Sequence, residues 1–104
     1  MRILDVLIKE YVSIVDSLVS TESIENNRIV IDRLYFKELL EKYRYMEFNQ
    51  KTKFYKILRF IIHDKNNYTL PYKDSELKKT VRRVVFDYDV YIAIKYLYET
   101  DLNL

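Results

Sequence analysis

The chain contains no cysteine, no glycine and no tryptophan, and only one histidine (His63), one proline (Pro71) and one alanine (Ala93). Each shortage closes off some chemistry. Without cysteine there is no disulfide, no thiolate nucleophile and no cysteine-ligated zinc. Average usage predicts about seven glycines in a chain of this length. Their absence removes the loops in which backbone must approach a phosphate or a reacting carbonyl closely: the P-loop, the dinucleotide-binding turn, the kinase glycine-rich loop and the nucleophile elbow. A lone histidine leaves little from which to assemble a histidine-ligated metal or a Ser–His–Asp triad. No apolar run approaches the roughly 18 residues of a membrane span. Asp5, Lys9 and Glu10 interrupt the first eleven residues, which do not read as a secretory signal, so a cytoplasmic location is expected.

What remains is a chain of 104 residues, 49% apolar, 15% aromatic and 33% charged. That is enough apolar surface for one small core and too aromatic for a disordered segment. One domain is expected over residues 1–104. The enrichment in Lys, Ile, Asn and Tyr follows from AT-rich coding and points to a low-GC bacterium, its phages or its mobile elements. The net charge of +2 hides a segregation. Residues 51–84 hold ten Lys/Arg and three acids, a local charge of +7, so the rest of the chain carries −5. Such an imbalance creates a local positive field in a nearly neutral protein.

The hydrophobic pattern predicts a mainly α fold with a small β element. Leu4, Leu7, Ile8, Tyr11, Val15 and Leu18 mark a helix over residues 2–19, broadly apolar and therefore buried on more than one side. Residues 28–31 form a β-branched run and read as a short strand. Asp32 is placed to cap a helix from 33 to about 45. After a turn at Met46–Phe48, with Asn49 as cap, a second helix is expected over 50–63. Phe54, Ile57, Leu58 and Ile61 form its apolar side, and Thr52, Lys56, Arg59 and His63 its outer side. Tyr68–Leu70 reads as a strand stopped by Pro71. Beyond Ser75 the spacing allows either one helix over 75–99 or a strand near 81–86 followed by a helix near 88–99 capped by Asp87 or Asp89; the β-rich run Thr80–Phe86 favours the second.

This order of strand, helix, turn, helix, polar hairpin and strand over residues 28–86 is that of a winged helix-turn-helix, flanked here by N-terminal and C-terminal helices. In that motif the second helix enters the major groove and the ribbon reaches phosphates. The candidate nucleic-acid contacts are Lys51, Lys53, Lys56 and Arg59 on the second helix, and Lys65, Lys73, Lys78, Lys79 and Arg82 on the wing and its base. Tyr68 and Tyr72 flank Pro71 and are placed to stack on the bases of a single strand. The last helix carries Tyr88, Tyr91, Ile92, Tyr96 and Tyr98, with apolar side chains on nearly all sides, which marks it either as a protein interface, with these five as candidate anchors, or as a helix buried against the first one. No catalytic constellation, metal site or cofactor site is expected. Asp87 and Asp89 read as helix caps, and Glu38 and Glu41 as solvated helix charges.

In size, AT-rich bias and element order over residues 28–86, the chain resembles the small middle proteins of the replication operons of staphylococcal cassette chromosomes. That resemblance implies a compact winged-helix-like subunit that binds an A-family DNA polymerase and lets it start primers on a single-stranded template. The basic positions of the second helix and wing would then touch DNA, and the aromatic C-terminal helix would face the polymerase. The expected function is thus non-catalytic, DNA-binding and accessory to replication, without membrane association. The competing expectation is a protein-interaction module such as a phage-encoded inhibitor of a host nuclease.

Overall fold

The computed structural model describes residues 2–102, with side chains through Glu99. About half of the chain is helical. The elements run α1 (Ile3–Thr21), β1 (Arg28–Asp32), α2 (Arg33–Glu41), α3 (Phe48–Ile57), β2 (Ile61–Ile62), β3 (Leu70–Asp74), β4 (Lys79–Asp87) and α4 (Tyr88–Leu102). The four strands form an antiparallel sheet in which β4 is central, with β1 and β2 as its neighbours and β3 also paired to it. In the β3–β4 hairpin Pro71 faces Arg82, Tyr72 faces Val81 and Lys73 faces Thr80. β3 pairs with β4 alone, so an edge position accommodates Pro71, which has no N–H to donate. Among the described residues no helix is long and apolar enough to cross a membrane.

The chain divides into two compact units, one made of residues 1–29 and 86–104 and the other of 30–85. In the first, α1 buries Leu7, Tyr11, Ile14, Val15 and Leu18. Tyr11 stacks on Phe86 with ring centroids 6.2 Å apart and meets Tyr91 edge-on at 6.4 Å. The Tyr91 hydroxyl donates to Asp16, and Lys95 Nζ donates to the same carboxylate at 2.8 Å. Burial pushes the Tyr11 phenol far above its ordinary value, and the nearby Asp87 adds to this.

The second unit is built around aromatic rings. Phe36 lies 5.8 Å from Tyr68, 5.9 Å from Tyr55 and 6.2 Å from Phe48. Edge-to-face and offset arrangements dominate, as the ring quadrupoles prefer. Asp32 caps α2 as its position suggests: its Oδ2 accepts from Leu34 N at 2.9 Å and Tyr35 N at 3.3 Å.

Several expectations are corrected. α2 stops at Glu41 rather than near 45, and α3 begins at Phe48 with Glu47, not Asn49, at the N-cap position. α3 ends at Ile57, six residues before the expected end. Its last turn closes by Arg59 N to Lys56 O at 3.1 Å and Phe60 N to Tyr55 O at 3.0 Å, the paired bonds of a Schellman motif. Phe60 packs against Tyr55 at 5.2 Å, the apolar contact that accompanies this motif. Arg59 holds the left-handed position, at φ 61°, that glycine ordinarily occupies. The helix also presents a different face: Lys51, Thr52 and Tyr55 are buried, whereas Phe54 and Ile57 are exposed. The strand expected at Tyr68–Leu70 begins at Leu70 and continues through Pro71 to Asp74. Beyond Ser75 the strand-plus-helix alternative holds, as β4 and α4, and the Asp87 carboxylate accepts from Asp89 N and Val90 N at the start of α4.

Candidate nucleic-acid interface

The ten cations of residues 51–84 sort into three kinds. Lys51 is buried, 1% exposed, and its Nζ donates to Leu40 O at 2.5 Å and to Tyr43 O at 2.6 Å, lying 4.2 Å from the centre of the Tyr45 ring. Leu40 lies in the last turn of α2, where carbonyls have no partner within the helix. The lysine therefore caps α2 from α3 and clamps the turn between them. It is withdrawn from the set of nucleic-acid contacts.

Two arginines are engaged with acids. Arg82 donates from Nη2 to Asp64 Oδ2 at 2.7 Å and to Thr69 O at 2.6 Å, and from Nε to Thr69 Oγ1 at 2.8 Å. Asp64 also accepts from Asn66 N and Asn67 N, so Arg82 fastens the loop before β3 to β4. The hydrogen bond from Arg82 is the main reason Asp64 titrates below the ordinary carboxylate value. Arg82 is a brace here, and its donors are already directed at protein oxygens. Arg83 bridges Asp32 at 3.3 Å and Asp74 at 3.6 Å. Each of those carboxylates has its other oxygen on backbone N–H groups, Asp32 at the start of α2 and Asp74 in the hairpin turn, where it accepts from Glu76 N and Leu77 N. Arg83 thus ties the hairpin base to the start of α2.

Seven cations are left: Lys53, Lys56, Arg59, Lys65, Lys73, Lys78 and Lys79. All are exposed except Lys56, which is half-exposed. Among the described residues none of the seven forms an ion pair. Asp64 and Asp74 are occupied by the two arginines, so Glu76 is the acid of this segment that remains. Lys78 shares with Arg59 a left-handed backbone, at φ 53°. Non-glycine residues in this region carry roughly 1–2 kcal/mol of strain.

Helical residues advance about 100° per step. Asn49, Gln50, Lys53 and Ile57 therefore lie opposite buried Lys51, Thr52 and Tyr55, with Phe54 and Lys56 at the two borders of that face, and all six are at least partly exposed. Ile57 is 74% exposed and Phe54 37%. The residue spacing hid this face, because the apolar positions 54, 57, 58 and 61 suggest the wrong helical phase. The informative signal was the seven-residue separation of Phe48 and Tyr55, two full turns apart on the inward side.

The expected stacking aromatics fare differently. Tyr68 is half-buried between the rings of Phe36 and Phe48, and burial raises its phenol above the ordinary value. It belongs to the core cluster and is withdrawn as a base-stacking platform. Tyr72 is half-buried on β3. On α4, Tyr91 is 4% exposed and belongs to the core of its unit, so it is withdrawn as a partner contact. Tyr88 and Tyr98 are half-buried, whereas Tyr96 is 69% exposed and Ile92 and Leu97 are also exposed.

Among the described residues no group of three or more His, Asp or Glu side chains is placed to hold a metal ion. His63 Nδ1 lies 2.7 Å from Asp64 O, a contact that positions the ring beside its own loop. No family model matches the chain, and no curated protein is similar enough to it to indicate a relative.

Proposed function

We propose that the chain is a non-catalytic DNA-binding accessory protein, with α2 and α3 acting as a helix-turn-helix and the β3–β4 hairpin as its wing. One observation carries this reading: burial of Lys51 and neutralisation of Arg82 and Arg83 leave seven solvent-facing cations on α3, its C-terminal turn, the loop before β3 and the hairpin. Phosphates attract such a set, and release of counterions supplies affinity that is independent of sequence. The sheet order, with β4 between β1 and β2 and the hairpin extending from it, supports the winged-helix reading. A protein partner engages α4 through Ile92, Tyr96 and Tyr98, and a replicative polymerase, as the resemblance implies, is the partner to try first.

The test is the salt dependence of DNA binding for the parent and for a Lys56→Glu, Arg59→Glu variant. The parent is expected to bind with an affinity that falls linearly with log salt. The variant should bind all sequences more weakly, with a slope shallower by about two, close to one for each cation lost. Equal affinity of the two proteins at low salt refutes the assignment of α3 and leaves the exposed apolar surface of α4 as evidence for a pure protein-interaction module.

A further inference from the structure

Resting on the DNA-binding reading, we infer that the outward face of α3 reads A·T-rich duplex DNA in the major groove, by apolar contact of Ile57 and Phe54 with thymine methyl groups. A helix surface that met only phosphates would need cations and small polar side chains. This one sets two large apolar side chains among two lysines and two carboxamides. Ile57, 74% exposed, and Phe54, 37% exposed, stand beside Lys53 and Lys56, a combination that suits a ligand both apolar and anionic.

The thymine edge of B-DNA meets that description. It carries the C5-methyl group in the major groove, the single apolar feature among the base edges there, flanked by phosphates on both strands. Adenine, its pair, offers the N6 donor and N7 acceptor that an Asn or Gln carboxamide matches in a bidentate fashion. Asn49 and Gln50 stand in the first turn of α3, where a recognition helix makes its base contacts. Lys53 and Lys56 lie along the same face to meet the backbone. The six side chains therefore match A, T and phosphate.

The geometry also speaks against a single strand as the preferred ligand. Tyr68 packs on Phe36 and Phe48, so of the two expected stacking rings Tyr72 alone, half-buried on β3, is left for a splayed strand.

The test compares the full chain bound to a duplex rich in A·T pairs, to the same duplex with every thymine replaced by uracil, to a G·C-rich duplex and to the single strand. Uracil substitution removes the methyl group and leaves every hydrogen-bonding edge intact. A loss of about fourfold is expected per contacted methyl, the factor that follows from exposing one methyl-sized apolar group. Ile57→Ala should bind the thymine duplex more weakly and erase the thymine–uracil difference, with an unchanged melting temperature because the side chain is exposed. Phe54→Ala should reduce the difference. Lys53→Gln should weaken the thymine and uracil duplexes equally. Equal affinity for the two duplexes, or preference for the single strand, overturns this inference while leaving DNA binding intact. Absence of salt-dependent binding to any of the four overturns the DNA-binding reading itself. Retention of thymine preference by the Ile57→Ala, Phe54→Ala double variant places the readout elsewhere and overturns the role of this face.

Discussion

Replacing Lys51 by methionine isolates the cap between α2 and α3. Methionine keeps most of the apolar stem and its volume but has no donor. The Leu40 and Tyr43 carbonyls, which Lys51 Nζ meets at 2.5 and 2.6 Å, would then be left without that donor in a region where Lys51 is 1% exposed. An orphaned buried acceptor costs roughly 1–3 kcal/mol, so the two carbonyls together cost about 2–6 kcal/mol. Removal of the lysine also relieves its own desolvation, which offsets part of that loss. The net expectation is a destabilisation of about 3 kcal/mol. With an unfolding entropy of about 2.1 cal/mol/K per residue, that corresponds to a fall in Tm of roughly 14 °C. Urea unfolding should show a lower midpoint with an unchanged slope, since the surface exposed on unfolding is nearly the same. Lys51→Arg should lose less, because a guanidinium can reach one of the carbonyls. A Lys51→Met protein within about 0.5 kcal/mol of the parent would refute the reasoning and mean that the end of α2 is held by something else.

Arg59→Gly should stabilise the protein by about 1 kcal/mol, because glycine adopts φ 61° without strain, and should weaken DNA binding at the same time; a thermal melt beside a binding titration separates the two effects, and a drop in Tm would contradict the Schellman assignment. Asp16 feels desolvation, which raises its pKa, but the hydrogen bonds from Lys95 and Tyr91 and the Lys95 charge outweigh it and hold the carboxyl below its ordinary 3.8. Its contribution to stability is therefore present above about pH 4 and is lost as pH falls through the lower folded value. Asp16→Asn should flatten the decline of stability between pH 4 and 2 in urea titrations, and an identical slope would remove this ion pair from the account. Truncation on α4 should divide by burial: Tyr91→Ala should lower stability by about 3–5 kcal/mol, as core aromatics do, whereas Ile92→Ala and Tyr96→Ala should leave the melt unchanged and reduce capture of a protein partner. Unfolding of the Tyr96→Ala variant would place that ring in the core and remove α4 as an interface.

Local chemistry was enough to read the mostly helical character, the Asp32 cap, the short strand before α2 and the basic character of residues 51–84. These depend on side chains within a few residues of one another. Composition determined more than usual, because a chain without glycine has to place other residues wherever the backbone turns left-handed. It does so at Asn26, Asn27, Arg59 and Lys78. Which residues would take those positions could not be read from spacing. The end of α3 depends on Phe60 folding back on Tyr55, and the phase of α3 depends on the aromatic cluster around Phe36, whose members come from α2, α3 and the loop before β3. Periodicity registers apolar spacing and does not say which apolar residue finds a ring to pack on. For that reason Phe54 and Ile57 read as core and emerged at the surface, while Lys51 read as surface and emerged as a buried cap. The same holds for charge. The sequence by itself determined a +7 segment, because charge is a property of composition. Tertiary structure alone decided which of those charges face solvent, because Asp64, Asp32 and Asp74 meet Arg82 and Arg83 only when the hairpin is formed.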